Sequence, residues 1–399
     1  LRSMDKINFF PENLDIQNQT VILRIDLNVP LKDKIIQDDT RIVLCLPFIK
    51  KLVEKKAKII IFSHLGRPKG IKVPELSLMP VYKYLKKSFQ TNVYFFMGNL
   101  DNEVQDKFSH LKEGEIILLE NIRYFKEESD DDKDFAKKLG SLGDIYINDA
   151  FSCSHRKQAS IHNITKFVKQ SYAGPLLKKE IDSINLIIKN KKEPVTCIIG
   201  GSKISTKINV ITSLIDKINN LIIIGDMANN FFVYKNVKVG NSLIEENTKE
   251  IIKKIYEKAK VSKCEILIPE DCKVGSSFMD IGKNKDLNLV EDNEIILDIG
   301  PKTIEKIKYK INQSNTILWN GPAGYFENKS FMNGTMEIAE TISKNTIEKS
   351  LISVLGGGDT LAAIRKSKSK LSFTHLSTAG GAFLEFLEGK DLPGLSVLK

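Results

Sequence analysis

The sequence predicts an α/β protein: two doubly wound, Rossmann-like parallel sheets joined by a connecting helix and a hinge. Three observations carry this. Short, continuously apolar runs alternate with helical periodicity, which marks strands covered on both faces. Polar or glycine-rich motifs sit at the carboxyl ends of these runs, where such sheets bind ligands. The alternation breaks once, at Asn190-Lys191-Lys192-Glu193-Pro194, and then restarts.

In chain order, residues 20–27 read as a strand ending in Asp26-Leu27-Asn28-Val29-Pro30, followed by a helix over 40–55. A strand over 58–63 ends in Ser63-His64-Leu65-Gly66-Arg67-Pro68. A helix over 82–89 and a strand over 92–96 come next. The run 116–119 ends in Glu120-Asn121-Ile122-Arg123. The run 145–148 ends in Asp149-Ala150-Phe151, with His155-Arg156 just beyond. The acidic stretch 127–134 reads as a solvated loop and helix start. Residues 175–189 keep helical spacing through Leu176, Leu177, Ile181, Ile184 and Ile188, and are the connector. Beyond the break, strands are expected over 195–199, 221–224, 265–268, 295–299, 316–319 and 351–355. Their carboxyl ends carry Gly200-Gly201-Ser202-Lys203, Gly225-Asp226, Gly300-Pro301, Asn320-Gly321-Pro322-Ala323-Gly324 and Gly356-Gly357-Gly358-Asp359-Thr360.

Bulk properties bound the answer. A chain of 399 residues is long enough for two cores, and 42% hydrophobic with 28% charged residues is a soluble globular balance. No run approaches the ~18 apolar residues of a membrane span. The first residues, Leu1-Arg2-Ser3-Met4-Asp5-Lys6, hold no apolar export signal, so a cytoplasmic protein is expected. Cys45, Cys153, Cys197, Cys264 and Cys272 are scattered, with no Cys-x-x-Cys pair, which fits a reducing compartment and gives no zinc framework.

The net charge of +10 admits anionic partners, and its make-up narrows them. Only seven of the 60 basic residues are Arg: Arg2, Arg24, Arg41, Arg67, Arg123, Arg156 and Arg365. A planar guanidinium grips phosphate or carboxylate with two bonds at once, which Lys cannot copy. Arginines kept in so Lys-rich a chain are candidates for geometry-dependent roles, although Arg24 and Arg365 could equally be buried ion-pair partners. Lys spread over helix faces, without interleaved aromatics, does not resemble a nucleic-acid binder.

The stretch around Gly356, Gly357 and Gly358 is the chain's most informative. A strand, a glycine turn and a helix N-terminus opened by Asp359-Thr360 form an anion site, because unpaired N–H groups and the helix dipole both favour negative charge. Asp359 would repel a bound phosphate unless a cation lay between them, and the simplest cation is Mg²⁺. The stretch therefore points to a Mg-nucleotide; the same residues also describe a glycine-rich loop with an N-capping Asp. Lys203 and Lys207 follow Gly200-Gly201 one helical turn apart, placed to offset phosphate charge, or are two more surface lysines of a Lys-rich chain. There is no Gly-x-x-x-x-Gly-Lys-Ser/Thr loop and no Gly-x-Gly-x-x-Gly fingerprint after a strand, which excludes a P-loop kinase and argues against a dinucleotide dehydrogenase. Glu327 is either a ribose partner or a surface acid. His64 shares a strand-end loop with Arg67. Asp26 and Asn28 could bind a substrate hydroxyl, or Asp26 could cap a turn or pair with Arg41. Trp319, the single tryptophan, reads as core. A small, highly anionic substrate on the first half and a nucleotide on the second follow.

Taken together, Arg24-Ile25-Asp26-Leu27-Asn28-Val29-Pro30, Ser63-His64-Leu65-Gly66-Arg67-Pro68, Glu120-Asn121-Ile122-Arg123, Gly200-Gly201-Ser202-Lys203, Trp319-Asn320-Gly321-Pro322 with Gly324 and Phe326-Glu327, Gly356-Gly357-Gly358-Asp359-Thr360 and Ser377-Thr378-Ala379-Gly380-Gly381-Ala382 resemble phosphoglycerate kinase, in order and over the whole chain. The resemblance implies reversible phosphoryl transfer from 1,3-bisphosphoglycerate to MgADP, giving 3-phosphoglycerate and ATP. It implies that His64, Arg67, Arg123 and Arg156 hold the non-transferred phosphate. Asp26 and Asn28 would contact the glycerate, with Leu27, Leu65 and Gly66 in the same site. Arg41 and Lys203 would stabilise the migrating group. Gly201, Gly225, Lys207, Asn320, Glu327, Gly356, Gly357, Gly358, Asp359 and Thr360 would bind ADP or ATP, with Asp359 on Mg²⁺. It also implies a substrate domain over 1–172, a connecting helix over 173–190, a nucleotide domain over 191–385, and a tail over 386–399 that returns to the first domain.

Two departures stand out. Asp226 follows Gly225 where the family usually has consecutive glycines before Met-Ala, and Ala379 replaces a glycine, at a cost if that position needs a positive φ. Loose phosphoryl transfer needs alignment and charge stabilisation more than a nucleophilic side chain, and it needs dryness. Domain closure about 175–189 is the expected device, in a monomer without nucleic-acid or membrane partners. A kinase of the same architecture for another phosphorylated acid, and a non-catalytic polyanion binder, are the rival readings.

Overall fold

The structure is a computed structural model that describes residues 6–101 and 104–399. The chain start, read above for export signals, lies outside the described residues apart from Lys6. The chain divides into two compact units. One runs to Ile181 and takes back Asp391–Lys399; the other is Asp182–Lys390.

The first unit is built on six parallel strands: β1 (Thr20–Arg24), β2 (Lys58–Phe62), β3 (Val93–Phe96), β4 (Ile116–Leu119), β5 (Ile145–Asn148) and β6 (Gln170–Ala173), in the order β3-β4-β2-β1-β5-β6. Both sheet faces are apolar and covered. Val21, Leu23, Ile59, Ile61, Ile116, Leu118, Ile145 and Ile147 join one core with Ile42, Cys45, Ile49 and Leu52 of the Thr40–Glu54 helix. On the opposite face Ile22, Ile60, Phe62 and Tyr146 are fully buried. Such two-sided burial is why these strands read as unbroken apolar runs. β1 stops at Arg24 rather than at residue 27. Ile25 N still reaches Phe62 O (3.1 Å), but Asn28 N then turns back onto Asp26 Oδ1 (2.9 Å), and a side-chain turn of this kind diverts the backbone from the ladder. Because β1 is central, the loops after β1, β2, β4 and β5 share one edge of the sheet. The returning segment is pinned by Gly394 N on Ser154 O (2.8 Å) and by Asn8 N on Leu398 O (2.7 Å).

The second unit holds β7 (Val195–Ile199), β8 (Asn220–Ile223), β9 (Glu265–Leu267), β10 (Asp271–Gly275), β11 (Lys283–Asp286), β12 (Ile295–Ile299), β13 (Thr316–Asn320), β14 (Ile352–Gly356) and β15 (His375–Ser377). Its parallel sheet has the order β9-β8-β7-β13-β14-β15. Trp319 on β13 is fully buried, as its sequence context indicated, and its indole N–H donates to Gly321 O (2.7 Å). One expectation needs correction. The strand over 295–299 forms, but in a separate three-stranded antiparallel sheet, β11-β10-β12, so Gly300-Pro301 is not on the rim of the parallel sheet. Only three residues separate β9 from β10, too few for the crossover that a parallel neighbour requires.

The Pro175–Ile188 helix contains the division between the units. Leu177, Ile181, Ile184 and Ile187 are its buried apolar positions, alongside Glu180 and Ser183; the expected Leu176 and Ile188 are half-buried. Ala379 escapes the strain anticipated for it. It is absent from the positive-φ residues, and the left-handed turn falls on Gly380 (φ 56°), where no neighbour crowds a Cβ.

Candidate functional site

In the first unit the strand-end loops bring four guanidinium groups around one histidine. Arg24, at the end of β1, is completely buried and donates to Ser160 Oγ (2.9 Å), to Ile25 O (2.7 Å) and from Nη2 to His64 Nδ1 (3.3 Å). Nδ1 therefore accepts, and the neutral ring carries its proton on Nε2. His64 is neutral because burial, and then the fields of Arg24, Arg123, Arg41 and Arg156, hold its pKa well below the ordinary imidazole value. Buried Glu128 opposes the fields of Arg24 and Arg123, and Asp26 lies beside Arg41, so the cluster is partly compensated from within and still carries more cations than acids.

The loop that frames it is tied crosswise. Asn28 Oδ1 accepts from Gly66 N (2.9 Å), Arg41 Nη1 donates to Asn28 O (2.7 Å) and lies 3.6 Å from Asp26 Oδ1, and Ser152 Oγ donates to Asp26 Oδ2 (2.5 Å). Arg123 Nη1 donates to Gly66 O (2.9 Å), whereas its Nε is buried without a hydrogen-bond partner. A buried donor in that state is costly unless an acceptor arrives. Asn121 sets the register: its amide donates to Leu65 O (2.7 Å) and Leu76 O (2.9 Å), and its Oδ1 accepts from Leu65 N (3.2 Å) and Arg123 N (3.1 Å). Leu27 N is taken by Ser63 Oγ (2.9 Å). Leu27, Leu65 and Gly66 thus have these backbone groups paired within the protein. Arg67 and Arg156 are exposed. Ser152 and Asn121 were not singled out from the sequence, since a serine and an asparagine in loops carry no signal until the partner loop is known.

In the second unit the glycine loops at the carboxyl ends of β7, β8, β13 and β14 converge. Gly201 (φ 116°), Gly225 (φ 70°), Gly321 (φ 102°) and Gly357 (φ 101°) all take a conformation that side chains disfavour. At Gly321 a Cβ would stand 2.3 Å from the Gly200 carbonyl carbon. Gly321→Ala is expected to destabilise this unit by about 3 kcal/mol, read from denaturant midpoints, from backbone strain and overpacking together. Thr360 is buried, and its hydroxyl accepts from Gly321 N (2.7 Å), locking the 356–360 turn to the β13 loop. The first intrahelical bond of the Gly358–Ile364 helix is Leu361 N on Gly357 O (3.1 Å), so the N–H groups of Gly358, Asp359 and Thr360 have no intrahelical acceptor. Lys207 Nζ donates to Asn320 Oδ1. Burial pushes the Lys207 pKa down to about 8 against the opposing pull of Asp359. Lys203, at the N-cap of the Ile204–Leu214 helix, is exposed.

Beside these loops lies a cleft whose walls include Phe232, Ile296, Leu297, Pro322 and Phe326, with Asp226, Glu327 and Asp359 also lining it. Apolar walls with a few polar groups suit a flat heterocycle joined to an anion. Among the described residues no cluster of three or more His, Cys, Asp or Glu could hold a metal by protein ligands alone. Asp359, an exposed carboxylate at the start of the Gly358–Ile364 helix, fits Mg²⁺ that arrives on phosphates rather than a resident ion.

The family model described as phosphoglycerate kinase matches residues 12–390. The chain is 44% identical over 390 residues to the phosphoglycerate kinase of Wolbachia pipientis wMel, covering 97% of this chain and 98% of that one. It is 43% identical over 387 residues to that of Dictyoglomus turgidum, with 96% of each covered. The solved structure of phosphoglycerate kinase from Coxiella burnetii superposes with a TM-score of 0.87 at 38% identity, covering 97% of both chains.

Proposed function

The chain belongs to the phosphoglycerate kinase family, and from that premise we propose how its residues divide the reaction. The activity is phosphoryl transfer between the acyl phosphate of 1,3-bisphosphoglycerate and ADP, giving 3-phosphoglycerate and ATP, a step of glycolysis. The bond from phosphorus to the carboxyl oxygen breaks as one to the terminal ADP oxygen forms, so the leaving group is already a stable carboxylate and needs no general acid.

The observation that carries the assignment is the neutral His64 among four arginines. His64, Arg67, Arg123 and Arg156 hold the phosphate that stays behind, while Asp26 and Asn28 orient the glycerate. Leu27, Leu65 and Gly66 complete the same substrate site. Arg41 and Lys203 neutralise charge on the migrating group. Gly201, Gly225, Asn320, Gly356, Gly357, Gly358 and Thr360 cradle the nucleotide phosphates through backbone N–H groups and loop shape, with Lys207 as a point charge and Glu327 on the ribose. Asp359 would hold Mg²⁺, which would supply charge neutralisation to the phosphate oxygens. A substrate domain over 1–172 with the 386–399 tail, a hinge helix over 173–190 and a nucleotide domain over 191–385 follow from this division. Closure is the step that keeps water from the phosphoryl group. The protein acts as a cytoplasmic monomer on small molecules, without nucleic acid. All five cysteines are free, and no described helix is long and apolar enough to cross a membrane.

A coupled assay with ATP, Mg²⁺ and 3-phosphoglycerate tests the substrate pair; turnover with another phosphorylated acid in preference would overturn it. The Lys207 charge gives a pH signature. Its ammonium is lost as pH rises through about 8, well before an ordinary lysine, so kcat/KM for ADP should fall above that pH. Lys207→Met should remove that limb and lower the plateau about tenfold, whereas a profile flat up to about pH 9.5 would deny the role.

A further inference from the structure

We propose that Ser160 and Glu128 are positioning residues of the substrate site: the Ser160 hydroxyl, its proton given to the Glu128 carboxylate, aims the Arg24 guanidinium so that His64 is held as the tautomer that donates from Nε2. The proposal rests on the reading of His64 and its arginines as the phosphate site.

The acidic stretch 127–134 reads from sequence as solvated, and Glu127 and Asp130 are indeed exposed. Glu128 corrects that reading, because it is fully buried. It lies in the short Lys126–Ser129 helix, on the segment that also carries Arg123. Its carbonyl accepts from Ala159 N (2.9 Å), and its Oε1 accepts from both Ser160 N (3.0 Å) and Ser160 Oγ (2.9 Å). Burial raises the pKa of this carboxyl, against the pull of Arg24, of the Ser160 bonds and of Arg123. Glu128 thus holds the 159–160 backbone and the Ser160 hydroxyl together.

A hydroxyl has one proton to give and two lone pairs. With that proton on Glu128, Ser160 Oγ can only accept on its other side, where it takes the Arg24 Nε–H (2.9 Å). Ile25 O takes Nη1 (2.7 Å). Fixing Nε and Nη1 leaves the planar guanidinium one orientation, and this sends Nη2 to His64 Nδ1 (3.3 Å). A guanidinium cannot accept, so Nδ1 must, and the only donor the neutral ring can offer a phosphate oxygen is Nε2–H. Cys153 Sγ, 3.5 Å from Nδ1, carries at most a weak donor and so reinforces this tautomer. Every proton along Glu128–Ser160–Arg24–His64 therefore has a set direction. All four residues are buried, where such a chain of bonds strengthens its members. The Tyr146 hydroxyl donates to Ser160 O (2.7 Å) and supports the same residue without entering the chain.

The test measures the KM for 3-phosphoglycerate, the KM for ATP, the imidazole nitrogen-15 shifts of His64 and the melting temperature in the unaltered chain, Ser160→Ala and Tyr146→Phe. Each variant deletes one buried hydroxyl bonded at residue 160, and only the first breaks the path to His64. In the unaltered chain the shifts should report a single Nε2–H tautomer at neutral pH; an Nδ1–H tautomer or an imidazolium would overturn the proposal before any substitution is made. Ser160→Ala should raise the KM for 3-phosphoglycerate about tenfold, leave that for ATP within about twofold, and turn His64 into a mixture of tautomers. Tyr146→Phe should lower the melting temperature without either change. A KM within about twofold in Ser160→Ala, equal rises in both variants, or a His64 tautomer that stays pure in Ser160→Ala would each overturn the proposal. Arg123→Ala separates the reading beneath it: if its KM for 3-phosphoglycerate also fails to move, the phosphate site itself is misassigned.

Discussion

Arg41→Ala should lower kcat by about three orders of magnitude while changing the KM for nucleotide less than about threefold. The expectation follows from how the side chain is held. Arg41 sits in the first turn of the Thr40–Glu54 helix, and Nη1 is anchored on Asn28 O (2.7 Å). Asp26 stands 3.6 Å away and keeps the guanidinium from swinging. A fork preset in this way loses little freedom when charge develops on a migrating phosphoryl group, which is where an arginine supplies most to catalysis. Arg41→Lys should recover little, since a point charge reproduces neither the planar fork nor its anchor. Single-turnover rates with saturating substrates separate this loss from any change in binding. An unchanged kcat would remove Arg41 from the chemistry.

Arg123→Ala should raise the KM for 3-phosphoglycerate about a hundredfold and leave the nucleotide KM unaltered. Arg123 carries two duties that fail together. It donates to Gly66 O (2.9 Å), supporting the loop that also carries His64 and Arg67, and its buried Nε has no partner inside the protein. Removing the side chain both loosens that loop and deletes the donor for the substrate phosphate. His64 cannot compensate by taking up charge, because burial and the arginines still present keep its ring neutral. A purely structural role would lower thermal stability and perturb both substrates alike, so the split between the two KM values is the discriminating readout.

Strands buried on both faces were legible because apolar residues dominate them, with Asn148, Thr196 and Asp298 the polar exceptions. The expected bounds of 116–119, 145–148, 195–199 and 295–299 agree with β4, β5, β7 and β12. Edge elements were not legible. Gln170–Ala173 is half polar and Lys283–Asp286 wholly polar, so neither carries the apolar signal of a strand. The placement of β12 in an antiparallel sheet was hidden because its largely apolar run is compatible with either kind of partner. At the sites, residue type pointed to the guanidinium cluster and the glycine turn, because few residues can do what Arg and Gly do. The supports were invisible. Nothing local marks Asn121 as the clamp between Leu65 and Leu76, which follows from loops that the fold alone brings together. The alanine at 379 was read as a possible strain, and the backbone instead moves the left-handed residue to Gly380.

The two-site division is tested most directly by titrating 3-phosphoglycerate and Mg-ADP separately, by calorimetry, into the unaltered chain, Arg123→Ala and Asp359→Asn. The account predicts that Arg123→Ala loses the acid and keeps the nucleotide, while Asp359→Asn weakens Mg-dependent nucleotide binding about tenfold or more and keeps the acid. Loss of both ligands in either variant, with the fold intact by circular dichroism, would contradict it.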